Sequence, residues 1–171
     1  MSSLRVRELE ASDAASARAV VLAQFGDTPY CAQMLEQLDI ALTRQDPEYA
    51  GCVAADDVGP SVRGVLLYGP VAGARGVVKL YALVGADVEV LMVLLNSLLA
   101  ESAERAERMI VCEIADDTPY ALAYDALIGR AFTREGRVAD YFRDCIALDV
   151  LVWRDQATVR PVDPTCSPAP R

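Results

Sequence analysis

Apolar and polar residues recur along the chain at spacings that predict short strands and amphipathic helices. Apolar and basic side chains alternate over residues 4–7, which predicts a short strand. Residues 12–26 begin with capping side chains and end at a glycine, whereas residues 31–46 carry apolar side chains at helical spacing and stop before Pro47. Both segments therefore predict helices.

The middle of the chain is rich in strand-forming residues. Residues 49–57, 62–69 and 76–85 contain many β-branched or aromatic side chains and are separated by turn-like segments. Their close succession predicts three antiparallel strands that form a meander.

The clearest helix is predicted over residues 88–107, whose first half is apolar almost all round and should be deeply packed. Residues 108–115 are apolar and predict a buried strand. Together with strand 76–85, these segments predict a βαβ unit with two parallel strands.

The C-terminal third predicts one more helix and two closing strands. The helix begins with Thr118 as its N-cap and Pro119 at its first position. Residues 133–142 and 145–154 have the composition of strands. The proline-rich tail, 155–171, has little to bury, and we expect it to be disordered.

The order of these elements, β-α-α-β-β-β-α-β-α-β-β, defines the predicted fold class. It predicts an α/β (α+β) fold in which a mixed central sheet carries helices on both faces. We expect residues 1–154 to form a single domain, because a chain of 171 residues with 53% hydrophobic side chains can build one sizeable core.

Composition excludes several kinds of chemistry. The sequence contains no histidine, so Ser-His-Asp triads, Cys-His dyads and histidine-ligated metals are impossible. The five cysteines are widely spaced, so we expect no metal site and no disulfide framework, but reduced thiols in the cytoplasm. We expect neither a nucleic-acid surface nor a membrane span. The net charge of −9 suits a basic acceptor such as an amine, although plain solubility explains it as well.

The segment "AFTREGRVADYFRDCIALDVLVW" (131–153), together with the element order, resembles the GNAT superfamily of N-acetyltransferases, including ribosomal-protein N-terminal acetyltransferases. The resemblance implies transfer of an acetyl group from acetyl-CoA to a primary amine of a small molecule or peptide. It also implies that the pantetheine arm of acetyl-CoA hydrogen-bonds to the backbone of strand 77–84, with Ala82, Leu83 and Val84 nearest the thioester.

The same resemblance implies two catalytic residues. In "IVCEIADD", Glu113 matches the glutamate that serves as general base in the family, and we expect burial beside apolar neighbours to raise its pKa. Tyr124, seven residues after Asp117, has the spacing of the tyrosine that protonates the leaving thiolate. Without a catalytic role, Glu113 would pair with a cation and Tyr124 would be a core aromatic residue.

The junction between strand 76–85 and the following helix departs from the resemblance. The family binds the pyrophosphate of CoA with Q/R-x-x-G-x-G/A, and here Val88 stands in the position of the first residue. Asp87 can cap the helix, and Glu89 adds negative charge to its first turn. Arg130 would supply compensating positive charge if it faced the cleft.

Three functions therefore remain open at the sequence level. The first is an acetyl-CoA-dependent N-acetyltransferase that binds the phosphates with other residues. The second is a non-catalytic GNAT-like module with a closed cofactor site, which binds a protein partner or forms a homodimer through its apolar C-terminal strand. The third is an enzyme that uses a smaller or differently placed acyl donor.

Overall fold

A computed structural model describes residues 4–43, 49–57 and 61–155. The described strands are β1 (Leu4–Glu8), β2 (Ala50–Asp56), β3 (Val62–Pro70), β4 (Val77–Gly85), β5 (Met109–Ala115), β6 (Thr133–Arg143) and β7 (Ile146–Arg154). The described helices are α1 (Ala14–Phe25), α2 (Cys31–Thr43), α3 (Val88–Glu104) and α4 (Ala121–Gly129). Short 3-10 turns precede α1 and α4. Within these residues, none of the helices combines the length and the apolar composition that a membrane crossing requires.

The strands form a single mixed sheet in the order β1-β2-β3-β4-β5-β7-β6. Only β4 and β5 pair in parallel; the other neighbouring strands in this sheet are antiparallel. The crossover between the two parallel strands is α3, as the predicted βαβ unit requires. The predicted fold class is therefore confirmed.

Two apolar clusters cover the two faces of this sheet. On one face, α3 and α4 pack on the sheet through buried leucines such as Leu94, Leu98 and Leu127. On the other face, α1 and α2 pack through residues such as Phe25 and Leu38. Because α3 lies against the sheet centre, Val90, Leu91, Leu94 and Leu95 of its apolar first half are buried. Val88 is exposed, so the all-round burial that the sequence predicts is not observed.

A β-bulge in β4 separates the two parallel strands. Leu67 of β3 faces Ala82 and Tyr68 faces Leu80, so Tyr81 is an extra residue without a cross-strand partner. Pairing between β4 and β5 ends at Leu80, opposite Cys112, although both strands continue beyond that point. A bulge bends and twists its strand, which accounts for a gap between the C-terminal halves of β4 and β5.

Two predicted helix ends differ from the observed ones. The helix predicted to end at residue 107 ends at Glu104, because Ala106 has a positive φ of 55° and the Glu107 N–H bonds back to the Ser102 carbonyl. Asp117 rather than Thr118 caps the turn before α4, since its carboxylate accepts from the Thr118 N–H. The predicted last residues of α2, 44–46, and the tail 156–171 lie outside the described residues.

Candidate active site

The gap between β4 and β5 encloses a cavity of about 20 Å³, roughly the space of one water molecule. Residues from both strands and both layers of helices line it. They include Met34 of α2, Ala82 and Leu83 of β4, Glu113 of β5, and Tyr120 and Leu127 beside or within α4. Ala82 and Leu83, two of the three cofactor-binding residues predicted on β4, are therefore at the gap, and the candidate base Glu113 is beside them; Val84 does not line this cavity.

Tyr120 occupies the side of the gap that faces α1. The centroid of its ring lies 4.9 Å from that of Phe25 and 5.0 Å from that of Tyr30. Burial raises the pKa of the Tyr120 hydroxyl well above its usual value, so this group stays protonated at neutral pH. Tyr120 was not predicted as a site residue, because it lies three residues after Asp117 instead of seven.

Gln24 of α1 bridges the open end of the gap. Its Oε1 accepts a hydrogen bond of 3.2 Å from the Gly85 N–H at the end of β4. Its Nε2 donates one of 2.7 Å to the Pro119 carbonyl, which follows β5. The side-chain carboxamide of Gln24 therefore links the end of β4 to the segment that follows β5. It also occupies the Gly85 N–H, which is a backbone donor at the end of β4.

The N-terminus of α3 is capped by its own chain. Asp87 Oδ1 accepts a 3.0 Å hydrogen bond from the Val90 N–H, as the sequence predicts. Glu89 lies in the same first turn, and Val88 is an exposed apolar residue there. The nearby guanidinium of Arg63 pairs with Asp87 at 3.3 Å, so its charge is already balanced.

Glu113 does not meet the expectation of burial. Its side chain is 47% exposed, and its Oε2 lies 2.7 Å from the ammonium of Lys79. The cause is the alternation of β5, which turns Cys112 and Ile114 into the core and Glu113 to the opposite face. The burial that this expectation requires is therefore absent, and an ion pair with Lys79 holds the Glu113 carboxylate instead.

Tyr124 is held by a buried carboxylate on β7. Its hydroxyl donates to Asp149 Oδ2 at 3.2 Å, and Asp149 is 1% exposed. Asp149 also accepts two hydrogen bonds from Arg137, of 3.1 and 3.0 Å, and lies 3.6 Å from Arg134. Burial, and then the charge of Asp149, raises the pKa of Tyr124. Tyr124 is not among the residues that line the cavity.

Arg130 lies far from the start of α3. Helices α3 and α4 both begin beyond the C-terminal ends of parallel strands, and Arg130 follows the last residue of α4. It is therefore at the opposite end of the layer from Asp87 and Val88. Its buried Nε has no hydrogen-bond partner within the part of the chain that the structure describes. The geometry does not place its charge where a diphosphate beside α3 would need it.

A polar cluster joins three segments on the α1–α2 side of the gap. Asp117, after β5, accepts hydrogen bonds of 2.9 Å from both the Tyr30 hydroxyl and Arg143. Burial alone would raise the pKa of Asp117, but these donors and the Thr118 N–H lower it overall. Burial and the bond to Asp117 raise the pKa of Tyr30 to about 12. The tip of the β6–β7 hairpin is thereby tied to the end of β5.

Comparison with solved structures identifies the fold. No protein-family model matches the sequence, and no curated protein matches it either. A protein of Desulfovibrio desulfuricans assigned to the GNAT family of acetyltransferases is similar with a TM-score of 0.74 and 19% identity, over 89% of this chain and 99% of that one. The aminoglycoside 6'-N-acetyltransferase of Enterococcus faecium has a TM-score of 0.71 and 14% identity, over 92% and 99% of the two chains.

A third similar structure contains a ligand. This acetyltransferase-type protein of Salmonella typhimurium was solved with its cofactor acetyl-CoA, and it has a TM-score of 0.69 and 15% identity over 94% of this chain and 99% of that one. The chain has the fold of the GNAT acetyltransferases.

Proposed function

We propose that the protein transfers an acetyl group from acetyl-CoA to a primary amine. The observation that carries the proposal is the separation of β4 from β5 beyond Leu80 and Cys112. On the side that faces β5, the backbone of Ala82, Leu83 and Val84 has no strand partner in the described sheet. An extended pantetheine arm can hydrogen-bond to such an edge as an added strand does.

The parts of acetyl-CoA fit this structure unequally. The unpaired edge of β4 suits the amide-bearing arm, whereas the start of α3 offers no glycine cradle and is capped by Asp87. Binding of the arm also requires the Gln24 bridge to open and Tyr120 to move, since the present cavity has only about 20 Å³. The amide groups of the arm can replace the hydrogen bonds that Gln24 makes to Gly85 and Pro119.

Glu113 and Tyr120 are the proposed acid–base pair, because both line the cavity. The amine nitrogen bonds to the acetyl carbonyl carbon, the carbon–sulfur bond breaks, and the nitrogen loses one proton while the thiolate gains one. Glu113 takes the first proton, and Lys79 at 2.7 Å keeps the carboxylate oriented. Tyr120 gives the second, because its hydroxyl is protonated at neutral pH and the residue lines the cavity.

The proposed acceptor is a small-molecule or peptide amine that enters from the α1–α2 side. Asp117 and Glu113 lie on the walls of this approach, and carboxylates favour an ammonium group. The Tyr30 and Phe142 rings, 5.4 Å apart, add an apolar surface beside Asp117. The similar enzyme of Enterococcus faecium acts on aminoglycosides, which also carry amines. The non-catalytic alternative is not favoured.

The test is an acceptor screen with purified protein. Thiol release from acetyl-CoA is followed with a panel of primary amines, polyamines, aminoglycosides and peptides with free N-termini. For an accepted amine, Glu113→Gln should lower kcat/KM about 100-fold, as loss of a general base does. Asp116→Asn is the matched control, because Asp116 is also exposed at the end of β5 but pairs with Arg137. Absence of transfer to every amine would overturn the proposal.

A further inference from the structure

The mouth of the gap beside α3 carries excess negative charge. Asp87 and Glu89 are in the first turn of α3, and Asp56 is close by on β2. The guanidinium of Arg63 is the cation within this group, and it pairs with Asp56 at 3.4 Å and with Asp87 at 3.3 Å. A diphosphate at this position would meet more carboxylates than cations, which weakens its binding.

Two backbone donors at the same place are already used. The Val90 N–H bonds to Asp87, and the Gly85 N–H bonds to Gln24. Gly85 has no open space around its Cα, because an added Cβ would lie 2.8 Å from Leu91 Cδ2. Phosphate sites at helix N-termini depend on free N–H groups and on an open glycine backbone. The first condition is only partly met here, because the Val90 and Gly85 donors are occupied, and the second is not met because Gly85 is packed against Leu91.

An apolar pocket of about 650 Å³ adjoins this mouth, which is a usual size for a ligand site. Ala19, Val20 and Ala23 of α1 form one wall, and Leu122 of α4 contributes to it. Gln24 borders this pocket and, through its bonds to Gly85 and Pro119, also the gap between β4 and β5. The pocket therefore adjoins the proposed path of the thioester arm. Arg63 also lines it, but this guanidinium is paired with Asp56 and Asp87, so the pocket suits an uncharged occupant.

We propose that the protein recognises its donor through the uncharged pantetheine arm, which extends from the gap into this apolar pocket, and not through the ADP portion of CoA. The inference rests on the proposed acetyltransferase function and narrows the donor class. An acyl thioester that lacks the 3'-phospho-ADP group is then as good a donor as acetyl-CoA.

The test compares acetyl-CoA with S-acetyl-pantetheine under identical conditions, using an amine identified by the acceptor screen. The expected kcat/KM values agree within about threefold, or favour the truncated donor. Added salt should raise kcat/KM for acetyl-CoA alone, because it screens the phosphates from Asp87 and Glu89. A preference of about tenfold or more for acetyl-CoA would overturn the inference and leave the acetyltransferase proposal intact.

A pair of substitutions gives a second readout. Asp87→Asn combined with Glu89→Gln removes the charges and keeps similar shapes, so it should raise the affinity for CoA about tenfold and leave that for pantetheine unchanged. Glu104→Gln, at the far end of the same helix, is the matched control. Equal gains for both ligands would contradict a charge effect on the ADP portion. If neither donor reacts with any amine, the proposed function itself fails.

Discussion

Tyr124 donates a hydrogen bond of 3.2 Å to Asp149, a carboxylate that is 1% exposed. The bond joins α4 to β7, which lies beside β5 on the side away from β4. Arg137 donates two further hydrogen bonds to the same carboxylate. Tyr124 is thus held in a hydrogen-bond network on the β7 side of β5. Tyr120, one helical turn earlier, lines the gap between β4 and β5 instead.

The two tyrosines should respond differently to loss of the hydroxyl. Tyr120→Phe should lower kcat about 100-fold, because the proposed proton donor to the thiolate is removed. Tyr124→Phe should keep kcat within about threefold and lower the free energy of unfolding by about 1 kcal/mol, since one hydrogen bond is lost while Asp149 keeps its arginine partners. Steady-state kinetics and urea unfolding measure the two effects. The opposite result would make Tyr124 the proton donor, as its spacing in the sequence suggests.

Gln24→Ala should strengthen binding of the donor. The bridge from Gly85 to Pro119 must open before an arm can lie along β4, and its two hydrogen bonds oppose this step. Their loss should lower the Kd of CoA and of pantetheine by about tenfold, as calorimetry can measure. Gln33→Ala, an exposed glutamine on α2, is the control. Weaker binding in Gln24→Ala would show that Gln24 contacts the ligand directly.

Gly64→Ala should destabilise the fold and displace α3. An added Cβ would lie 3.0 Å from Leu94 Cδ1 and 3.0 Å from the Val84 carbonyl oxygen, both of which are packed. Overpacking of this kind should lower the free energy of unfolding by about 1–3 kcal/mol. Gly129→Ala is the control, since nothing lies within 4 Å of its added Cβ and alanine favours the helix. Equal stability of the two variants would refute the close approach of β3 to α3.

Asp13 should stabilise the protein in a pH-dependent way. Two hydrogen bonds of 2.6 Å from Arg7 hold its pKa below the usual 3.8, so its contribution is complete above that pH and is lost as the pH falls through the lowered pKa. Asp13→Asn should cost about 1–3 kcal/mol at neutral pH. In urea titrations the difference from the natural protein should shrink toward about pH 2. A constant difference over this range would exclude the ionised pair as its source.

Local patterns predicted most of the secondary structure. Alternation and helical spacing are local properties, so the strands, α1 and the apolar α3 could be assigned from neighbouring residues. The exposure of Glu113 was also available from the pattern, because a strand with Cys112 and Ile114 in the core must turn Glu113 to the other face. The expectation that the Glu113 side chain is buried did not take this alternation into account.

The remaining features depend on contacts between distant parts of the chain. Gln24 reaches Gly85 and Pro119, which are 61 and 95 residues away in sequence. The assignment of Tyr124 relied on spacing, and spacing cannot show which of two tyrosines on neighbouring turns faces a gap. Likewise, no pattern within α4 indicates that Asp149 of β7 accepts the Tyr124 hydroxyl. Such partners follow from the sheet order, which a single sequence does not determine.

The bulge at Tyr81 makes the site depend on the number of residues in β4 more than on their identity. Leu80 and Leu83 both point to the α3 face, and Ala82 points to the other, because one extra residue shifts the alternation. Deletion of a single residue there would restore the regular alternation of side chains along β4. Every later residue of the strand would then point to the opposite face of the sheet. Substitutions at Tyr81 keep the shifted alternation. Evolutionary change in this strand is therefore far more constrained in length than in composition.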